Sequence, residues 1–195
     1  MSSPSATNTL ARPVASRPAH TETTETTAAD VGLRPATRAD IEALCALHER
    51  CSPDSLYRRY LMSITTVGPA AIRRLLSGTT TTVVDAGGGR LVGMGNVCLG
   101  DPDAEAALLV EDAWQRRGLG VRLVCRLADQ ALAAGSRRLT ATILTSNLAI
   151  RRTLTVAGLA PTIVDADVGT LELHCDLLRW VRPQFVPRSA CSTAS

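Results

Sequence analysis

The stretch AEAALLVEDAWQRRGLG, Ala104 to Gly120, decides the fold. An apolar run ending at Val110 reads as a buried strand. An acidic pair, Glu111-Asp112, follows it, then Gln115-Arg116-Arg117 and two glycines, Gly118 and Gly120. GVRLVCRLADQALAAG continues as an amphipathic helix. Val121, Val124, Leu127, Ala128 and Ala131 are expected inside, with Arg122, Arg126, Asp129 and Gln130 outside. A helix start carries unpaired N–H groups and about half a positive charge. Stripped of side chains by glycine, such a loop lets a pyrophosphate approach the backbone. QRRGLG is neither a P-loop nor a dinucleotide fingerprint. Taken alone it is equally a plain helix-start turn.

Working outward, short strands alternate with helices. VGLR (Val31–Arg34) is a strand. TRADIEALCALHER, PDSLYRRYL and GPAAIRRLLSG are three helices. TTTTVVDA and RLVGMGNVCL form a hairpin about Gly87–Gly89. After the long helix come the strand RLTATIL, the helix SNLAIRRTLTVAG with Ser146 or Asn147 as its cap, and a last hairpin in TIVDADVGTLELHCDLL. The fold class is α/β, a mixed sheet flanked by helices. Residues 1–30 and 181–195 read as flexible tails, because Ser, Thr, Ala and Pro cannot bury enough surface to offset their ordering entropy.

Composition narrows the partners. The chain has 195 residues, a net charge of +3 and only 3% aromatic residues. It lacks both the basic stripe and the stacking rings of a nucleic-acid protein. No apolar run approaches the roughly 20 residues of a bilayer span, so the expectation is a cytoplasmic protein without membrane or nucleic-acid partners. The six cysteines show no paired metal-ligand spacing. Most read as buried apolar residues, and no metal is expected.

In order and spacing, these motifs resemble the GCN5-related N-acetyltransferase (GNAT) family over residues 31–178. Val110 with QRRGLG matches its acyl-CoA-binding segment. Asn147 opens, and Gly158-Leu159 closes, a helix like that family's next one. LRPATRADIEALCALHERCSPDSLYRRY is similar to the opening of its protein-lysine acetyltransferase subgroup. The resemblance implies a mostly antiparallel central sheet with one splayed strand pair. It implies acetyl-CoA as donor, held by Leu109 and Val110 along the strand, by the loop Gln115, Arg116, Arg117, Gly118, Leu119 and Gly120, and by Asn147. N–H groups from Gln115 to Gly120 would hold the pyrophosphate. One near Val110 would polarise the thioester carbonyl.

Glu105 is the candidate general base. An amine must lose its proton before it attacks a thioester. A carboxylate at the edge of an apolar strand is expected to be partly desolvated and so more basic. The matching glutamate of the protein-lysine subgroup acts through water, which implies that role here. Asp103 and Glu111 read as loop charges, and His48 and His174 as structural. Tyr57, Arg58, Arg59 and Tyr60 fit either the acceptor edge or a solvated helix, and Trp114 either covers the cofactor or packs. Many family members carry a tyrosine acid where this chain has Leu154. The protein-lysine subgroup often lacks it too. The expected acceptor is a protein lysine. The alternatives are a small-molecule amine and a sensor that binds acyl-CoA without transferring it.

Overall fold

The computed structural model describes residues 31–184. The expected order of elements is present. Strand β1 (Gly32–Pro35) leads through a single 3-10 turn into α1 (Ile41–Glu49), α2 (Pro53–Tyr60) and α3 (Pro69–Gly78). The chain continues as β2 (Thr80–Asp85), β3 (Leu91–Cys98), β4 (Asp103–Val110), α4 (Leu119–Ala133), β5 (Arg138–Leu144), α5 (Leu148–Val156), β6 (Thr162–Asp167) and β7 (Thr170–Asp176). The expected tails over residues 1–30 and beyond residue 184 lie outside the described residues. The chain stays packed past residue 180. Arg182 Nη1 lies 2.7 Å from Asp129, and the Val181 carbonyl comes so close to Gly158 that a Cβ there would meet it at 2.5 Å.

The strands form one sheet in the order β1-β2-β3-β4-β5-β7-β6. Every neighbouring pair is antiparallel except β4–β5. A parallel pair needs a crossover, and α4 supplies it. The two faces are covered by different helices. Leu44, Leu47 and Ile72 pack on Val83, Met94 and Leu109 on one face. On the other, Val124, Leu127 and Ala128 of α4 pack on Val97, Ala104 and Leu139.

Helix α4 is buried more widely than its pattern implies. Leu119, Leu123 and Cys125 are buried besides the expected residues. Asp129 and Gln130 do not point freely outward. Asp129 holds Arg182, and Gln130 exchanges hydrogen bonds with the Thr82 hydroxyl. Cys45, Cys51, Cys125 and Cys175 are buried free thiols, as the composition implies, whereas Cys98 is exposed and Cys191 lies outside the described residues. At the N-terminal edge, Arg34 grips Asp40 with two nitrogens, at 2.9 and 2.7 Å. Asp40 also accepts the Thr37 N–H at 2.7 Å.

Candidate active site

Strands β4 and β5 pair only at Asp103↔Arg138, Ala104↔Leu139 and Glu105↔Thr140. Beyond Glu105 they separate, although β4 runs on to Val110 and β5 to Leu144. The closed end is pinned by the Arg138 guanidinium on the Asp103 carboxylate and by the Arg137 N–H on the Pro102 carbonyl at 2.8 Å. The open end is a cleft of about 700 Å³. Ala106–Val110 line one wall and Thr140–Ile143 the other, with Asn147, Ile150 and Leu154 of α5 alongside.

One hydrogen bond sets the phase of β4. The Glu111 N–H donates to Val92 on β3. In an antiparallel ladder the backbone groups alternate sides. Glu105, Ala107 and Leu109 therefore turn their N–H groups toward β3, while Ala106, Leu108 and Val110 turn theirs toward the cleft. The backbone of Leu109, expected to hold cofactor, is thus committed to Met94, its register partner. Its side chain still lines the cleft. The Val110 carbonyl faces the same way as its N–H and accepts the Gln115 side-chain amide at 3.1 Å.

The loop after β4 combines basic residues with N–H groups that the helix leaves unpaired. Arg116 (φ 58°) and Gly118 (φ 81°) both lie in the left-handed region, with Arg117 between them. Such alternation turns successive N–H groups inward as a nest. The first intrahelical bond of α4 runs from Arg122 N–H to the Gly118 carbonyl. The N–H groups of Leu119, Gly120 and Val121 therefore have no intrahelical partner. Arg116, Gly118 and Gly120 line the cleft, as does Arg152 from α5.

Three residues of this segment are engaged within the protein. The Gln115 N–H is spent on the Asp112 carbonyl, and its side chain bonds Ser55 Oγ at 3.0 Å, so this residue braces the loop. The Arg117 guanidinium lies over the Trp114 ring, 4.9 Å from its centroid, and does not line the cleft. The Leu119 side chain is buried under the sheet with Val84 and Val92. Trp114 is buried and packs.

Glu105 sits at the last paired position before the strands part, next to the cleft-lining Ala106. It is exposed, as is Cys98 opposite it. Glu111 is no loop charge. It is 5% exposed and takes Arg50 at 3.0 Å and Arg90 at 2.7 Å. Asp103, too, belongs to β4, where Arg138 pairs with it and lowers its pKa. Asn147 caps α5 by accepting the Ile150 N–H at 3.3 Å and also lines the cleft. Leu154 is buried in the cleft wall.

The α2 residues divide. Arg58 and Arg59 line the cleft, Tyr57 is exposed, and the Tyr60 hydroxyl lies 2.6 Å from His48 Nε2. The other ring nitrogen of His48 meets the Leu44 carbonyl, and burial pushes the His48 pKa down, as suits a structural histidine. His174 pairs with Glu172. Arg59 was legible from its spacing. It stands one helical turn from the buried Leu56, so it shares that inward face, whereas Arg58 does not. An inward arginine without an acid beside it is costly, about 1–3 kcal/mol for one unpaired buried donor.

A strand pair opened beside a helix start with unpaired N–H groups suits a diphosphate-bearing carrier with an extended arm. The chain belongs to the acetyltransferase (GNAT) family, whose model matches residues 41–157. It is an acyl-CoA-dependent N-acetyltransferase, and its reaction class is transfer of an acetyl group from acetyl-CoA to an amine. Among solved structures it is similar to the GNAT domain of S. lividans PAT, at 25% identity and a TM-score of 0.66, covering 74% of this chain and 89% of that one. It is similar to yncA of Salmonella typhimurium, a putative acetyltransferase solved with its cofactor acetyl-CoA (23% identity, TM-score 0.60, 80% of this chain and 98% of that one). A ribosomal-protein-alanine N-acetyltransferase from Brucella melitensis shares the fold at 21% identity and a TM-score of 0.58, over 73% and 98% of the two chains. No curated protein sequence matches the chain. The mostly antiparallel sheet with its splayed pair is that family's fold, as the resemblance implies.

Proposed function

We propose that the protein acetylates lysine side chains of other proteins by direct transfer, with Glu105 as the base. The observation that carries this reading is the end of β4–β5 pairing at Glu105. It leaves the inward N–H groups of Leu108 and Val110 free to pair with the pantetheine arm of acetyl-CoA. The arm's diphosphate sits at the N–H groups of Leu119, Gly120 and Val121. The inward N–H nearest Glu105 that the splay frees, that of Leu108, donates to the thioester oxygen as negative charge grows on it.

Glu105 lies at the far end of that arm and is exposed, so a lysine on a protein surface reaches it without entering an enclosed pocket. The acceptor ammonium gives its proton to Glu105 through an intervening water. The neutral amine attacks the thioester carbon, a C–N bond forms, the C–S bond breaks and the nitrogen gives its second proton to solvent. The CoA thiolate leaves without a tyrosine acid, since Leu154 occupies that place, and takes its proton from solvent. A polyamine fits poorly. The acids lining the cleft are already used, Asp54 by Arg58 at 2.8 Å and Asp112 by Ser52 and Ser55. Likeness to the GNAT domain of S. lividans PAT supports the assignment.

Glu105→Gln is the test. Loss of a positioned base lowers the rate by about 10²- to 10⁴-fold. Acetyl-CoA affinity, measured calorimetrically, stays unchanged, because Glu105 lies outside the phosphate loop. Full activity in the variant removes Glu105 from the chemistry. Tight acetyl-CoA binding by the parent protein without transfer to any lysine peptide means a cofactor sensor.

A further inference from the structure

The Arg59 side chain is half-buried in the cleft wall, and burial lowers its pKa. Its Nη2 donates to Asn96 Oδ1 at 3.0 Å. Asn96 is itself fixed, donating to the Thr81 and Thr79 hydroxyls at 2.7 and 3.2 Å. The relay aims the guanidinium and leaves Asn96 no freedom to turn away. Nε is sealed from solvent without a hydrogen-bond partner among the described residues. No carboxylate forms an ion pair with Arg59 there, although neighbouring arginines find theirs: Arg58 has Asp54, Arg50 and Arg90 have Glu111, and Arg138 has Asp103. Arg59 is a pre-oriented cation lacking its anion.

The acid whose charge acts on it is Glu105. Glu105 shares its sheet face with Ala107, the register partner of Asn96, so it stands on the side of the sheet that Arg59 approaches. The two do not come within ion-pair distance. Arg59 lines the cleft and Glu105 stands beside the cleft-lining Ala106 without pairing with the arginine, an arrangement that suits a molecule carrying both an ammonium and a carboxylate. The geometry points to Arg59 as the specificity residue that binds a carboxylate on the acceptor while Glu105 receives the amine. This rests on the transfer reading above. The shared chemistry is an amine with a carboxylate close by. It comes either from an acidic side chain flanking a target lysine or from the α-carboxylate of a free amino acid.

The test compares acid and amide forms of the same acceptors on the whole protein loaded with CoA. One arm uses a lysine tripeptide flanked by glutamates against its glutamine counterpart. The other uses free amino acids against their α-amides. Binding is read by calorimetry, independently of transfer, and kcat/KM is read in parallel with acetyl-CoA. The expected result is at least a tenfold preference for the acid form in one arm, which names the source. Arg59→Gln abolishes that preference, and Arg59→Lys restores part of it, while acetyl-CoA affinity and the thermal melt of Arg59→Lys stay near the parent's. Equal binding of acid and amide forms in both arms overturns the assignment, whether or not transfer occurs. Preferential binding of the acids without transfer sustains it and removes only the catalytic reading.

Discussion

Gly118 and Gly135 bracket α4, and the pair permits a matched experiment on the phosphate loop. Gly118 has φ 81° and Gly135 φ 91°, and a Cβ added at either meets nothing within 4 Å. Alanine at each position therefore carries the same penalty, the left-handed backbone of an L-residue, about 1–2 kcal/mol. In a domain of this size that is a fall in Tm of about 2–8 °C. The two ends differ in what the backbone then has to hold. At Gly135 there is only the end of the helix. At Gly118 a relaxed φ turns the nest formed with Arg116 and the N–H groups of Leu119 and Gly120 away from the cleft. Losing one charge-assisted hydrogen bond to a phosphate costs about 1.5–3 kcal/mol, or about 10- to 150-fold in Kd. Thermal melts and calorimetric titration with acetyl-CoA measure both quantities. Equal destabilisation with affinity lost only in Gly118→Ala is the expected outcome. An unchanged Kd in Gly118→Ala, or an equal loss in Gly135→Ala, refutes the placement of the diphosphate on this loop.

Other outcomes follow from the packing. Asp40 is held at a pKa of about 2, chiefly by its hydrogen bond from Arg34 and next by those from Thr37. Its folded pKa lies below the unfolded one, so its contribution is complete above about pH 4 and disappears as pH falls toward 2. Asp40→Asn should remove about 1–2 kcal/mol at pH 7, a figure reduced for the part-exposed Arg34, and should flatten the urea-midpoint curve between pH 4 and 2. Glu111→Gln leaves Arg50 and Arg90 without their shared carboxylate and should cost about 2–3 kcal/mol by urea denaturation, below the full buried-pair value because both arginines touch solvent. Leu154→Ala should cost about 2–3 kcal/mol by the same assay, the low end for a buried leucine, because part of the void opens into the cleft.

The sequence carried the local devices of this fold and missed those that depend on distant partners. The strand from Ala106 to Val110, the glycine loop and α4 were legible because each is written in consecutive residues. The Gly87–Gly89 hairpin was legible for the same reason. The splay of β4 from β5 came only through resemblance, since no residue type in either strand says where pairing stops. Glu111 looked like a loop charge because its arginines, Arg50 and Arg90, stand far away in the chain. Glu105 looked desolvated because its strand is apolar, yet exposure is decided by what covers the side chain, and Glu105 is exposed.

The arginines illustrate the difference most directly. Charge beside the glycines drew notice to Arg116 and Arg117, and Arg117 proved to lie on Trp114 outside the cleft. Arg59, in a segment that a solvated helix explained equally well, is the arginine turned inward. Its helical spacing from Leu56 already placed it on the buried face. An arginine on the apolar side of a short helix must find an anion or bear the cost of burial. When the chain supplies no carboxylate at that point, the missing partner belongs to whatever the cleft receives.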